Sequence, residues 1–230
     1  TSGGALSING AVYGALANTQ SLSLDAGSAV LGGSAGAVSV TGVLGGVLNN
    51  TSKSLRTLTL VNSAGANFTQ AVVADDSVVL SDTTGTITFA NNLTTPKLVT
   101  VAKPYNLELL GASTQITATG ASTSTAFINT GYLTLGNDST DQLLFAGGLS
   151  ATAPSAINVA GGISTTGTAM TLGDSDTALT LTQNVSLATS GGALSINGAV
   201  YGALANTQSL SLDAGSAVLG GSAGAVSVTG

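Results

Sequence analysis

The sequence predicts an all-β solenoid, and three observations lead to that prediction. Apolar residues alternate with polar ones over runs of three to five residues along the whole chain, which is the pattern of short strands. Glycine, asparagine, aspartate and serine follow these runs, where tight turns need them. The chain also repeats itself, and self-similarity at a fixed period is typical of solenoids and arrays.

The long repeat is identical in its two copies. Residues 1–42 and 189–230 agree at every position, so that Thr189 corresponds to Thr1 and Gly230 to Gly42. Because drift would have blurred two old copies, these were duplicated recently, are kept identical by recombination, or were joined deliberately. We interpret 1–188 as one full period, 189–230 as the start of the next, and 1–230 as one continuous solenoid segment.

A shorter period lies inside the long one, marked by doublets of apolar residues separated by one residue. The doublets are Leu6/Ile8, Leu22/Leu24, Val38/Val40, Leu58/Leu60, Val78/Leu80, Val99/Val101, Ile116/Ala118, Leu133/Leu135, Ile157/Val159, Met170/Leu172, Leu194/Ile196 and Leu210/Leu212. Ten steps separate Leu22 from its copy Leu210, so the doublets predict a coil of about 19 residues. No apolar stripe at helical spacing persists past two turns.

Two architectures could use this pattern. Tandem β-sandwiches need roughly 100 residues per unit and usually an aromatic-rich core. A solenoid needs one coil per repeat, with each coil burying its alternating face against its neighbours. The tenfold subdivision and the four phenylalanines favour the solenoid. With parallel strands about 4.8 Å apart, ten coils would advance about 48 Å per period, and uneven step lengths would fall in protruding turns.

The segments YLTLGNDSTDQLLFAGGL (132–149) and AMTLGDSDTALTLTQNVSL (169–187) show the pattern most clearly. In this style the chain resembles, over essentially its whole length, the right-handed parallel β-helices of filamentous-haemagglutinin-type adhesins and autotransporter passengers. That resemblance implies an exported bacterial surface protein with a β-helical shaft. Long exact repeats are also familiar from giant surface adhesins and matrix fibres such as those of biofilms.

The composition excludes several classes of function. The chain has 4 basic against 10 acidic residues, and the bases Lys53, Arg56, Lys97 and Lys103 form no patch in sequence, which argues against nucleic-acid binding. It has neither histidine nor cysteine, so Ser-His pairs and thiolate metal sites are not available. No apolar run reaches the roughly 18 residues of a membrane span. We expect no enzymatic activity and no cofactor.

Two groups of residues are nevertheless candidates for chemistry. Lys97, Lys103 and Glu108 form the one lysine-rich neighbourhood, and some β-helices cleave acidic polysaccharides with such a set; the alternative is solvated turn residues beside a proline-broken strand. Asp138 and Asp141, and likewise Asp174 and Asp176, are candidate calcium ligands because Ca²⁺ prefers clustered oxygens. These turns match neither the EF-hand loop nor the calcium-binding nonapeptide. Asp also favours turns by itself, so we expect turn hydrogen bonding and no bound metal.

The aromatic residues are the remaining candidates. Tyrosines could contact a partner, but in a core this poor in aromatics we expect tyrosine and phenylalanine alike to fill wider layers of the coil. These residues are Tyr13, Tyr105, Tyr132, Tyr201, Phe68, Phe89, Phe127 and Phe145.

The segment GAVYGALANTQ, which begins at Gly10 and again at Gly198, lies near the junction between periods and is a candidate for lateral or end-to-end packing.

The sequence therefore favours a structural protein, namely a segment of an extracellular fibre or cell-surface shaft. Its expected partner is itself, end to end through successive repeats and laterally in bundles. An adhesin module that binds glycans or a host surface is the first alternative, and a polysaccharide-processing enzyme is the second.

Overall fold

The computed structural model describes residues 1–30 and 32–230. Its first strands are β1 (Leu6–Ile8), β2 (Leu22–Asp25), β3 (Val38–Val40), β4 (Val47–Leu48), β5 (Thr51–Ser52), β6 (Leu55–Ser63), β7 (Ala66–Phe68), β8 (Val72–Thr83), β9 (Thr86–Phe89), β10 (Leu93–Thr95), β11 (Lys97–Val99) and β12 (Asn106–Leu109). Then follow β13 (Ser113–Ile116), a 3₁₀ helix (Ala121–Thr123), β14 (Thr125–Ala126), β15 (Leu133–Leu135), β16 (Gln142–Phe145), β17 (Leu149–Ala151), β18 (Ile157–Ser164), β19 (Met170–Leu172), β20 (Leu179–Ala188), β21 (Leu194–Ile196), β22 (Val200–Gly202), β23 (Leu210–Asp213) and β24 (Val226–Val228). The predicted all-β class is confirmed.

The strands stack in parallel along three faces of a solenoid. The first face runs through β1, β3, β7, β9, β12, β15, the first half of β18, the first half of β20 and β22. The second face starts with the bridges of Val12 to Leu44 and of Leu44 to Val72. It continues through β10, β13, β16, the second halves of β18 and β20, and β23.

The third face contains β2, β6, the second half of β8 and β11, followed by β14, β17, β19, β21 and β24. Where β11 meets β14, the Thr100 hydroxyl donates to the Ala126 carbonyl at 2.9 Å. Parallel neighbours need a crossover, and here the crossover is the rest of the turn. The architecture is a parallel β-solenoid, consistent with the expected right-handed parallel β-helix. The tandem β-sandwich alternative is wrong, because such sandwiches pair their strands antiparallel.

Alternation along each strand divides inward from outward residues. In β9 the side chains of Ile87 and Phe89 are buried, whereas Thr86 and Thr88 are half-buried on the outer surface. Because parallel pairing places equivalent positions of successive turns side by side, the inward residues form apolar rows along the axis. A single core therefore runs through the solenoid.

Aromatic side chains fill the wider layers of that core, as predicted for most of them. Phe68 and Phe89 lie on adjacent turns with parallel rings 4.8 Å apart, and Phe127 meets Phe145 edge to face at 5.7 Å. Tyr105 is fully buried. Two tyrosines contradict the prediction: 59% of Tyr201 is exposed, and Tyr132 lies on the outer surface, where its hydroxyl bonds to Glu108.

The predicted coil of about 19 residues is too short. The shortest step between neighbours on the first face leads from Ile87 to Leu107, and the longest leads from Leu6 to Val38. Eight steps lead from Leu6 to Val200, which gives a mean of about 24 residues per turn. The doublet spacing did not give the number of residues per turn, because each turn contains strands on three faces and the doublets fall on all of them.

Three doublets show how the count went wrong. Leu22/Leu24 lies on the third face and Val38/Val40 lies on the first, although they are consecutive doublets. At Val99 the alternation is out of phase, because Leu98 is the buried residue and Val99 is 41% exposed. Other consecutive doublets, such as Leu58/Leu60 and Val78/Leu80, do lie on one face. The spacing of doublets therefore mixed steps between faces with full turns along one face, which made the predicted turn too short.

The longest steps contain protruding turns, as predicted. Between Leu44 and Leu55 the chain leaves the coil as the antiparallel hairpin β4–β5. Asn49 and Asn50 form its tip with φ angles of 51° and 59°, the left-handed region that asparagine tolerates. Val47 at the base of the hairpin is 67% exposed, so this loop adds length to a turn without adding to the core.

Among the described residues, no helix is long and apolar enough to cross a membrane.

Replacing Phe89 by alanine should destabilise the solenoid strongly. The substitution removes a buried ring that stacks on the turn before it, at a cost of about 3–5 kcal/mol in the free energy of unfolding. Thr94→Ala is the matched control, since Thr94 is exposed on the next strand and should change stability by less than about 0.5 kcal/mol. Chemical denaturation measures both, and equal effects would contradict an inward apolar row.

Candidate functional site

The first pair of candidate calcium ligands lies in the turn between β15 and β16. The buried Asp141 accepts hydrogen bonds at Oδ2 from the amides of Asn137 and Asp138, at 2.8 and 3.0 Å. Asp138 accepts at Oδ1 from the amide and the hydroxyl of Thr140, at 2.9 and 2.8 Å. These bonds, first the amide and then the hydroxyl, lower the pKa of Asp138.

The second pair lies in the turn between β19 and β20. Oδ1 of Asp174 accepts from the amides of Asp176 and Thr177, both at 3.0 Å. The amide of Asp176 is the main cause that lowers the pKa of Asp174. The Asp176 carboxylate itself accepts from the Ser175 hydroxyl at 3.3 Å. In both turns the carboxylates therefore hold the backbone of the turn in place.

A metal site needs several such groups around one point. Among the described residues, no three carboxylates, imidazoles or thiols come close enough to share a metal ion. The hydrogen bonds of Asp138, Asp141 and Asp174 match the alternative interpretation of these turns, which is local turn chemistry.

Glu108 lies on the outer surface of the first face, in the middle of β12. The Tyr132 hydroxyl donates to its Oε1 at 2.7 Å, and the Thr88 hydroxyl donates to its Oε2 at 2.8 Å. The bond to Glu108 is the main reason that the pKa of Tyr132 is raised. Three successive turns are thus tied together on the outside of the solenoid by one carboxylate.

The lysines of the proposed catalytic set lie elsewhere. Lys103 pairs with Asp82 at 3.0 Å across adjacent turns, and both side chains are about half exposed. Lys97 is exposed on β11, which belongs to the third face. Among the described residues, no hydrogen bond or ion pair joins Lys97, Lys103 and Glu108 to one another. The structure therefore does not assemble this set into one hydrogen-bonded group.

A polar trough on the second face was not foreseen from the sequence. It has a volume of about 420 Å³, and the backbone of Gly161 and Gly162 forms part of its wall. Hydroxyls and amides line it beside the apolar Ile163, Val185 and Ala188. The polar groups belong to Gln142, Ser164, Asn184, Ser186, Ser209 and Ser211. Sequence patterns could not identify it, because its lining residues come from four different turns.

The two copies of the repeat fold in the same way internally. Leu6 pairs with Val38 in the first copy, and Leu194 pairs with Val226 in the second. Equivalent backbone bonds recur, for example from the amide of Thr41 to Ile8 and from that of Thr229 to Ile196, both at 2.9 Å. The repeated sequence therefore specifies its own local fold wherever it stands.

The surroundings of the two copies differ. Strand β21 lies on β19, β22 on the first half of β20, and β23 on its second half. We call these two supporting strands, Met170–Leu172 and Leu179–Ala188, the platform. The first copy is instead covered on its other side, where β3 pairs with β7 and β2 pairs with β6. In that copy, the repeated loop also bonds to the next turn, since the Gly14 amide donates to Lys53 at 2.9 Å.

The two copies also occupy different faces. Strand β1 belongs to the first face, whereas its copy β21 belongs to the third. The strand in line with β1 at the other end is β22, which directly follows β21 in the chain. One period, 1–188, therefore ends one face short of eight full turns, which is seven and two-thirds turns. The prediction of ten coils per period is wrong.

Comparisons with protein-family models, with curated proteins and with solved structures find no match for this chain.

Replacing Asp174 by alanine should destabilise the protein in a pH-dependent way. The folded-state pKa of Asp174 lies below its ordinary value, so its contribution is present above that ordinary value and is lost as pH falls through the folded-state pKa. The difference in unfolding midpoint between the wild type and Asp174→Ala should thus be largest near neutral pH and vanish in strong acid.

Asp176→Ala is the control for the Asp174 experiment, because it removes a carboxylate from the same turn that accepts from a hydroxyl and from no backbone amide. Thermal unfolding from strong acid to neutral pH, with and without Ca²⁺, gives the comparison. A calcium-dependent shift that Asp174→Ala abolishes would contradict the assignment of this turn to backbone capping.

Proposed function

We propose that this chain is a structural segment of an extracellular fibre or cell-surface filament, a shaft that grows by stacking tandem repeats. The observation that supports the proposal most directly is the place of the second copy. It continues the three faces across the boundary between Ala188 and Thr189, with the same parallel pairing used inside the period. The strands of a further period could pair in the same way with the exposed edge of the second copy.

The two ends of one period are complementary, because the strand at the end of the second copy has the same sequence as a strand that is covered in the first. Strand β3 is buried when β7 covers it, with Val38 and Val40 only 2% and 1% exposed. Its copy β24 has no downstream neighbour among the described residues, and Val226 and Val228 are 48% and 50% exposed. A following period would cover β24 with the equivalent of β7. Such stacking satisfies edge strands that would otherwise promote aggregation.

One period is not a whole number of turns, so successive periods of the shaft are related by a screw operation, that is, a translation combined with a rotation. Each period advances by seven and two-thirds turns, which is about 37 Å at about 4.8 Å per turn. Each period is also rotated by one face relative to the one before it. Every surface feature of the period therefore appears on all three sides of the shaft, and the pattern returns to the same side after three periods, or about 110 Å. Such a distribution favours lateral contacts in several directions.

A second candidate function is glycan binding, and the polar trough favours it. Its hydroxyl and amide groups can donate to and accept from the hydroxyls of a sugar, and its position on the outer surface leaves it accessible. In a tandem array the trough would recur once per period, which would add avidity to a weak single site.

The axial advance of a multi-period chain tests the structural proposal. Chains with two, three and four periods should lengthen by about 37 Å per period, with a rotation of one-third of a turn and a strand spacing of about 4.8 Å. Cryo-electron microscopy or fibre diffraction measures these quantities. An advance of about 48 Å without rotation, which ten coils per period would give, would contradict the proposed shaft. A string of compact beads would contradict it as well.

A glycan array tests the second candidate. The wild-type chain should bind a subset of glycans, and Ser186→Trp, which fills the trough from an exposed position, should abolish that binding. Thr94→Trp is the matched control, because Thr94 is exposed on β10 of the same face, outside both the trough and the repeated segment. A blank array with a multi-period chain would exclude the glycan candidate without affecting the shaft proposal.

A further inference from the structure

We infer that the N-terminal copy of the repeat in one molecule can take the place of the C-terminal copy on the platform of another, so that chains join head to tail by segment exchange. The partner is a second copy of this chain. The inference goes beyond the proposed function and does not rest on it, because it follows from the identity of 1–42 and 189–230 and from the pairing at the platform.

The platform holds the C-terminal copy through bonds that the other copy can reproduce. Met170, Leu179 and Val185 each donate a backbone amide at 2.9 Å to a carbonyl of that copy. The carbonyls belong to Ala193, Ala199 and Ser209, whose counterparts in the first copy are Ala5, Ala11 and Ser21. The platform therefore meets the same residues whichever copy arrives.

The apolar contacts are equally interchangeable. On the platform Leu194 and Ile196 are fully buried. Their counterparts Leu6 and Ile8 are half-buried, because among the described residues β1 is covered by β3 alone. In an exchanged pair, Leu6 and Ile8 would gain the cover that Leu194 and Ile196 have now. Removing this apolar surface from water favours the exchange.

Residues 43–230 of the incoming molecule do not obstruct the exchange. On the first face β3 lies between β1 and β7, so the remainder of that chain extends away from the platform. This is the direction in which a following period would continue. The contact is heterologous, and each added molecule exposes a fresh platform once its own C-terminal copy has left, so the assembly stays open-ended.

The C-terminal copy is also the part of the chain that can leave most easily. Within residues 1–230 it forms the last turn, with Val226 and Val228 about half exposed and the loop residue Leu219 fully exposed. Turns with few buried contacts open at lower free energy than the core. The displaced copy loses its own β21–β24 pairing and regains conformational entropy. The hydrogen bonds that it made to the platform are replaced by the same bonds to the incoming copy.

Engineered cysteines test the exchange, since the chain has none of its own. Thr171 lies next to Ser195 in the β19–β21 ladder, and Ser195 is the counterpart of Ser7. The double variant Thr171→Cys/Ser7→Cys brings its thiols together only between molecules, because positions 7 and 171 lie at opposite ends of one solenoid. Neighbouring parallel strands are close enough for a disulfide.

After incubation and oxidation, the Thr171→Cys/Ser7→Cys chain should give a reducible ladder at multiples of 22.0 kDa. The matched control Thr171→Cys/Ser39→Cys carries a similar outward serine on β3, two turns from the platform after exchange. We expect at least about ten-fold more ladder in the test variant than in this control, because exchange raises the effective concentration of one thiol pair. Mass spectrometry should identify the link between positions 7 and 171.

Thr171→Cys/Ser195→Cys is the second control and should close an internal disulfide in the monomer. If it closes while the test variant stays monomeric or matches the Ser39 control, the exchange is refuted. If it does not close, the platform pairing is wrong and the inference falls with it. Light scattering of the unsubstituted chain, which should show dimers and larger species after warming, checks the result independently of any substitution. None of these outcomes alters the expected advance of a tandem shaft.

Discussion

The parallel hydrogen-bond ladder between turns is the interaction on which everything else in this molecule depends. The amides and carbonyls of each strand point along the solenoid axis, so a turn is satisfied only by the turns above and below it. The burial of side chains follows from the same neighbours. Val38 is 2% exposed and its identical counterpart Val226 is 48% exposed, solely because β7 covers one of them and nothing described covers the other.

This arrangement also explains where the polar chemistry of the chain is used. Turns between faces must hold their backbone without help from the ladder, and carboxylates such as those of Asp141 and Asp174 bind the amides there. On the outer surface, Glu108 joins Thr88 and Tyr132 across three turns. The charged groups are thereby distributed along the solenoid, each bonding within its own or an adjacent turn, and the lysines near Glu108 do not converge with it.

The exact repeat acquires a physical meaning only in combination with the ladder. Since the repeated segment makes the same internal pairing in both places, its fold is local, yet what it contacts depends on which turn lies beside it. A period that falls one face short of whole turns converts a linear repeat into a screw. The same identity that lets periods follow one another in a chain makes the two copies equivalent occupants of one platform.

The sequence by itself determined the local features: short strands by their alternation, tight turns by their glycine, asparagine and aspartate, the all-β class, the solenoid and the capping role of the aspartates. Only the tertiary structure decided the length of a turn, the face on which each strand lies, the phase at Leu98 and Val99, the exposure of Tyr201 and the polar trough. Alternation is a property of adjacent residues and can be recognised within a few positions. Which strands become neighbours depends on the lengths of all the loops within a turn, and no short pattern records their sum.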